Sequence, residues 1–464
     1  MFSDSTICAI STPAGTGGIA VLRLSGKLAV AIADTVFKSP VREKKLADQA
    51  ANTLHFGSVY QDGKLLDEVV VGLFRAPHSY TGEDVVEISC HGSRFIQQQL
   101  LQLLIDQGAL LAQPGEFTQR AFLNGKMDLS QAEAVADLIA SGNAAAHRVA
   151  MNQMRGGFSV EIGLLRDQLL HFITLVELEL DFSEEDVEFA DRSQLLALSE
   201  KIELLLDKLA DSFRLGNALK NGIPVAIVGD TNAGKSTLLN SLLNEEKAIV
   251  SDIHGTTRDV IEDTVNLDGM LFRFFDTAGL RQTSDTIENM GIARSYQKLE
   301  LASVVLLVLD LTSPLDKLVS RIREIRGKLK NQPLILVANK SDLASGEIRN
   351  ELAGVGLQEN EFLVFVVAKS RENLGSLVAL MQKLVSADRV GEEDVIVTNL
   401  RHYEALTEAR EAIRRTIEGL QGHLSGEFLS QDIRECLYYL GSITGQITTD
   451  EVLGNIFKHF CIGK

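Results

Sequence analysis

Five short stretches of the chain have the residue types and order of a site for nucleoside triphosphate chemistry. In IPVAIVGDTNAGKSTLLNSLL, an apolar run leads into Gly229, four residues, then Gly234, Lys235, Ser236 and a helix-forming segment. Glycines at those positions let backbone N–H groups wrap phosphates, a lysine meets the β and γ charges, and the next hydroxyl faces magnesium. Downstream follow GTTRD (255–259), DTAG (276–279), NKSD (339–342) and VAK (367–369), in the order used by GTPases and at the ends of strand-like runs. An ordered set of five elements is far more specific than the phosphate loop alone.

The candidate nucleotide contacts are Asn232, Ala233, Gly234, Lys235, Ser236 and Thr237 of the first loop; Ser251, Asp252, Ile253, His254, Gly255, Thr256 and Thr257 of the second; Asp276, Thr277, Ala278 and Gly279; Asn339, Lys340, Ser341 and Asp342; and Val367, Ala368 and Lys369. Ser236 and Thr257 offer hydroxyls to Mg2+, and Thr257 also senses the γ-phosphate. Asp276 is expected to hold Mg2+ through water, and the Gly279 N–H to touch the γ-phosphate. Asp342 can accept from the two donors on the Watson–Crick edge of guanine, a pair that adenine lacks, so GTP is the expected substrate. Asn339 and Lys340 are expected to brace the base, and the Ala368 N–H to donate to the guanine carbonyl.

The residue after DTAG is Leu280, which cannot orient water as the glutamine of Ras-like enzymes does. Another device has to neutralise charge. Asn232 puts a side-chain oxygen where a monovalent cation could bridge the phosphates, so a potassium-assisted site is expected. The other reading of Asn232 is ordinary loop hydrogen bonding.

These elements need a parallel sheet to hold them. VAIVG, LFRFFD, VVLLVLD, LILVANK and FLVFVVAK alternate with helix-length segments, predicting an α/β domain over 220–385. Residues 1–122 mix short β-like runs (19–24, 68–73, 85–89) with Gly and Pro, predicting an α+β domain. Between them, Ile162, Leu165, Leu169, Phe172, Val176 and Leu180 recur at helical spacing in a long amphipathic helix, and 386–464 returns to helix. The simplest architecture is multidomain: an all-α domain built from 123–219 and 386–464, with the α/β P-loop GTPase (Ras-like) domain inserted into it. Two separate helical domains are the alternative.

Composition bounds the rest. Lys and Arg total 45 against 63 Asp and Glu, a formal charge of −18 that opposes unaided capture of nucleic acid. No stretch reaches the length of a membrane span and no basic leader opens the chain, so a cytoplasmic protein without a membrane partner is expected. Cys8, Cys90, Cys436 and Cys461 form no metal-ligand or disulfide pattern.

STPAGTGGIAVLRLSG, SYTGEDVVEISCHGS, PGEFTQRAFLNGKMDLSQAEAVADLI, ELELDFSEEDVEF and the final CIGK, together with the GTPase core, resemble the MnmE (TrmE) family of tRNA wobble-uridine modification GTPases over essentially the whole chain. The resemblance implies a tetrahydrofolate-binding N-terminal domain that also forms a homodimer. It implies a heterotetramer with MnmG (GidA), whose FAD stays on that partner. The pair would install an aminomethyl or carboxymethylaminomethyl group on C5 of the tRNA wobble uridine, with 5,10-methylene-tetrahydrofolate as carbon donor and 5-formyl-tetrahydrofolate as a stable analogue. It places K+ on Asn232, Ser251, Ile253 and Thr256, and Mg2+ on Ser236 and Thr257. Glu288 then positions the hydrolytic water through a second water, although as a bare residue it reads as a solvated helix-start carboxylate. Arg23, Glu83, Lys126 and Lys464 match the folate positions; the first three read alone as surface charges. Cys461 would serve modification and not GTP hydrolysis, with Gly463 giving the tail freedom. Thr231, His254 and Val367 depart from the residues common in the family.

The acidic run 177–191 holds eight carboxylates and no Lys or Arg, and reads either as a solvated face or as a docking surface for MnmG. Two other functions fit parts of the pattern: a regulatory Era-like GTPase of ribosome assembly, and a stand-alone folate enzyme under GTP control.

Overall fold

A computed structural model of the chain describes residues 5–181, 191–243, 262–267, 270–276, 299, 302–385, 395–422, 424–458 and 460–463. Of the candidate residues, 251–257, 277–279, Glu288 and Lys464 lie outside the described residues, as does most of the acidic run. The chain forms two compact units. One comprises Met1–Ile139, Met151–Leu206 and Glu404–Lys464; the other comprises Ala140–Ala150 and Asp207–Tyr403.

The second unit contains a six-stranded sheet. Its strands are β8 (Ile223–Gly229), β9 (Glu262–Leu267), β10 (Met270–Asp276), β11 (Val304–Asp310), β12 (Leu334–Asn339) and β13 (Glu361–Phe365), in the spatial order β13-β12-β11-β8-β10-β9. All pairs are parallel except β9 with β10. Alternate residues of the central strands feed opposite cores. Val225, Ile227, Leu306 and Val337 pack with Leu238 of helix α8 (Lys235–Leu243) and Leu377 of α11 (Leu374–Val385). Ala226, Val305, Leu307 and Leu336 pack with Ile322 of α9 (Leu315–Arg326) and Leu352 of α10 (Gly346–Ala353). Burial on both faces explains why VVLLVLD has no polar alternation.

The first unit holds a seven-stranded sheet of β1 (Ile7–Ile10), β2 (Gly17–Ser25), β3 (Phe37–Lys38), β4 (Thr53–Gln61), β5 (Lys64–Phe74), β6 (Val85–Gly92) and β7 (Leu110–Leu111), ordered β3-β4-β5-β6-β2-β1-β7. One face packs on α1 (Ala29–Val36) and α2 (Arg94–Asp106) through Leu22, Leu24, Val71, Ile88, Ile32 and Leu100. The short α3 (Glu116–Leu123) and α4 (Leu129–Ala140) follow.

Helical segments from both ends of the chain lie in that same unit. The long α6 (Gly157–Asp181) packs against α13 (Gly426–Thr444), and Arg434 donates to Glu177 at 2.7 Å. On α6 the buried stripe is Phe158, Ile162, Leu165, Leu169, Ile173 and Val176. Ile173 occupies the position that spacing assigned to Phe172, which is half-buried. Between Leu169 and Val176, steps of three then four reach Phe172 and steps of four then three reach Ile173, so spacing alone fits both residues. Asp191, at the far end of the acidic run, accepts from the Ser193 and Gln194 N–H groups and caps α7 (Arg192–Asn221). Among the described residues no cluster suits a metal ion, and no helix is long and apolar enough to cross a membrane.

The remaining helices are α5 (Ala144–Met154), α12 (Leu400–Gln421) and α14 (Asp450–Phe457). Segment 460–463, after α14, is pinned to the N-terminal sheet. The Gly115 N–H donates to the Cys461 carbonyl at 3.3 Å, and the Ser11 hydroxyl donates to the Gly463 carbonyl at 3.0 Å. Gly463 therefore does not give the tail freedom. It is buried at φ +91°, and a Cβ there would lie 2.4 Å from the Ile10 carbonyl oxygen, so glycine is required for close approach.

Candidate functional site

The phosphate loop links β8 to α8, and its backbone requires residues that tolerate positive φ. Gly229 (φ +149°), Asn232 (+66°) and Gly234 (+97°) supply them. A Cβ on Gly234 would sit 2.2 Å from the Asn339 side-chain nitrogen, and one on Gly229 would sit 2.4 Å from the Val308 carbonyl oxygen. Lys235 opens α8, with its ammonium donating to the carbonyls of Gly229 and Asp230 at 2.7 Å each. Ser236 and Thr237 follow, exposed in the first helical turn, where free N–H groups and the dipole favour an anion. Asp276 ends β10, in register with Ile227 of β8.

The sheet brings the later loops to the same strand ends. Asn339, 3% exposed at the end of β12, donates to the Ala233 carbonyl at 2.9 Å and accepts from the Ala368 N–H at 3.0 Å. It thus ties the phosphate loop to the VAK loop. The Ala368 N–H, expected to face the guanine carbonyl, is taken by Asn339, because that amide needs an acceptor partner and a donor partner in a dry site. Lys340 adopts φ +58° and pairs with Asp310 at 2.6 Å. Burial pushes the Asp310 carboxyl up, but the hydrogen bonds from Lys340 and Thr312 outweigh it and hold the group below its ordinary range. The Ser341 N–H donates to the Val366 carbonyl at 3.2 Å, and Val367 pairs with Glu372. Asp342 and Lys369 are exposed. Spacing did not single out Ser241, which donates to the Ala368 carbonyl at 2.6 Å, or Asp310. Both are ordinary residues of a helix and a strand end, with no motif to mark them.

A second polar cluster occupies the N-terminal unit. Arg23, on β2, pairs with Glu87 at 2.8 Å and lies 5.4 Å from the Tyr80 ring centre and 5.7 Å from that of Phe117. Its guanidinium also reaches the Gly463 carbonyl at 3.5 Å. Ser25, two residues along the same strand and so on the same face, donates to Glu83 at 2.7 Å. Lys126 is exposed and donates to the Pro77 carbonyl at 3.0 Å. Arg23, Glu83 and Lys126 are thereby gathered around the segment 77–87. With side-chain exposures of 16% and 28%, Arg23 and Glu83 are not ordinary surface charges. Arg120 and Glu116, outside the sequence reading, complete the cluster; their i,i+4 spacing in GEFTQR was the signal available. Cys461 is exposed, whereas burial pushes the thiols of Cys8 and Cys90 up to about 11 and that of Cys436 up to about 12.

Two family models match the chain: "GTP-binding protein TrmE N-terminus" over residues 6–126 and "MnmE helical domain" over 129–461. A tRNA modification GTPase MnmE of Parabacteroides distasonis is 57% identical over 463 residues, covering 99% of this chain and all of that protein. Its counterpart in Bacteroides fragilis is 56% identical over 471 residues, and that in Flavobacterium johnsoniae is 51% identical over 467, each covering both chains in full. Among solved structures, a single-residue variant of Aquifex aeolicus Era bound to GDP·AlF4− is 29% identical, covering 40% of this chain and 65% of that one at a TM-score of 0.27. On full-length identity and both family models, the chain belongs to the MnmE family of tRNA modification GTPases.

Proposed function

We propose that this protein is a potassium-dependent GTP hydrolase which, with MnmG, installs the aminomethyl or carboxymethylaminomethyl group at C5 of the tRNA wobble uridine from methylene-tetrahydrofolate. The observation that carries the reading is the Asn339 brace, which holds the phosphate loop and the VAK loop in one rigid cradle within a chain of this family. Lys235 and the N–H groups of the first turn of α8 bind the β- and γ-phosphates. Asp342, exposed beside the brace, reads guanine. Bound Mg2+, held by Ser236 and Thr257, and bound K+, held by Asn232 with Ser251, Ile253 and Thr256, supply positive charge to the phosphates. The exposed Asn232 in its left-handed turn and the exposed Ser236 hydroxyl fit those roles as oxygen donors. Glu288 orients the attacking water.

In the N-terminal unit, the half-buried guanidinium of Arg23 suits the glutamate tail of a folate, and Glu83 suits paired N–H donors of the pterin. Lys126, Lys464 and Cys461 complete that site. The homodimer reading is supported by Leu54, Phe56 and Val70, which are 75%, 55% and 38% exposed on the outer face of β4 and β5. GTP turnover compared in potassium and sodium, with Asn232→Ala alongside, tests the nucleotide half. Potassium stimulation lost in the variant is expected, and equal turnover in both salts refutes it. Mass spectrometry of tRNA nucleosides from a deletion strain tests the other half, since an unmodified wobble uridine is expected.

A further inference from the structure

Arg120 lies on α3, only 3% exposed, in the interior of the N-terminal unit. Its guanidinium donates to both oxygens of Glu83, at 3.3 and 3.2 Å, and to Glu116 at 2.8 Å. It also donates to the Ser5 carbonyl at 2.8 Å. Its Nε–H has no partner among the described residues. Glu116 is locked in turn by the Gln113 N–H at 2.8 Å. Glu83 is held from another side by Ser25, whose hydroxyl also meets that of Thr81 at 2.7 Å.

A buried cation flanked by two carboxylates is a costly arrangement, and either acid alone would neutralise it. The two acids differ in access: Glu116 is 11% exposed at its side chain, and Glu83 is 28% exposed. One carboxylate anchors the guanidinium and the other is presented outward. We infer that Arg120 is the positioning residue of this site: it fixes the Glu83 carboxylate in one rotamer, so that Glu83 can accept a paired N–H donor set from a bound heterocycle. The inference rests on the folate reading above. A planar five-donor fork can hold Glu116, Glu83 and the Ser5 carbonyl together, whereas a lysine, as a single flexible point charge, cannot fix all three at once. Arg120 itself touches no ligand in this assignment, and acts only through Glu83.

The test is a double-mutant cycle on the affinity of the full-length protein for 5-formyl-tetrahydrofolate, measured by calorimetry. Arg120→Lys is expected to weaken binding about tenfold, and Glu83→Gln more. In the Glu83→Gln background, Arg120→Lys should have almost no further effect, because the group it positions has already lost its charge. Independent, multiplying losses would show that Arg120 supports the fold and not Glu83, and would overturn the inference. Unchanged affinity in Arg120→Lys alone would do the same. Should Arg120→Lys fail to fold, the isosteric Glu116→Gln, which loosens the guanidinium from its anchored side, takes its place in the cycle and has to show the same coupling. If the unaltered protein does not bind the ligand, the folate reading itself falls, an outcome separate from failure of the cycle.

Discussion

The two candidate sites are built by opposite means. In the nucleotide unit, the backbone does most of the work: strand ends deliver the loops, positive-φ residues shape the phosphate turn, and one buried amide, Asn339, cross-links them. In the N-terminal unit, residues 5, 23–25, 81–87, 116–126 and 460–463 come together through side-chain ion pairs and hydrogen bonds, with Arg23 and Arg120 as hubs. A backbone-built site tolerates almost no added atom, while a side-chain-built site depends on which charges neighbour one another. Motifs mark the first kind and hide the second.

The largest effect is expected where the backbone is tightest. Gly234→Ala adds a methyl group 2.2 Å from the Asn339 nitrogen at a φ of +97°. It should lower the affinity for GTP about a hundredfold, read by fluorescent-nucleotide titration. An unchanged affinity would show that the loop is soft and break the contrast. Gly463→Ala makes the matching addition in the N-terminal unit, 2.4 Å from the Ile10 carbonyl. Unseating segment 460–463 should raise hydrogen exchange at the Gly115 amide, which donates to Cys461, by about tenfold.

Acid should separate the two units more gently. His55 is buried on β4, and burial, then the nearby positive charge of Lys44, lowers its pKa from 6.5. The unfolded chain therefore takes up a proton before the folded one does. The associated stability is present above about pH 6.5 and is lost as the pH falls toward the lower folded value. Asp310 and Glu361 in the other unit are held below 3.8 and 4.5, so their contribution persists through that window and is lost only in stronger acid. Melting the full chain at about pH 7 and about pH 5.5, on either side of the ordinary histidine pKa, should show a drop that His55→Gln diminishes. A drop of equal size in the variant would remove His55 as its cause. The smallest effect serves as a control for the glycine argument. Gly454, inside α14, has open space where a Cβ would go, so Gly454→Ala should stabilise by about 0.5–1 kcal/mol in thermal melts.

Much of the nucleotide unit could be read from its letters. Runs such as VVLLVLD and LILVAN are apolar on both faces because both faces are covered, and LILVAN ends where the NKSD motif begins. β9 and β4 are less legible: in β4, TLHFGSVYQ mixes polar and apolar residues because the outer face of that sheet carries exposed apolar side chains. The Phe172 and Ile173 exchange on α6 shows the limit of periodicity, since three- and four-residue steps fit either residue and cannot choose which one is buried.

By itself, the sequence determined the fold class and the family, because those depend on local order and spacing. Only the tertiary structure decided that Gly463 is a packing requirement, that the Ala368 N–H belongs to Asn339, and that Arg23 and Glu83 are half-buried in a cluster rather than fully solvated. The physical reason is the same in each case. A close approach, a donor's partner and a charge's desolvation are set by atoms far away in the chain: Ser11 meets Gly463 across 452 residues, and Arg120 comes to Ser5 across 115.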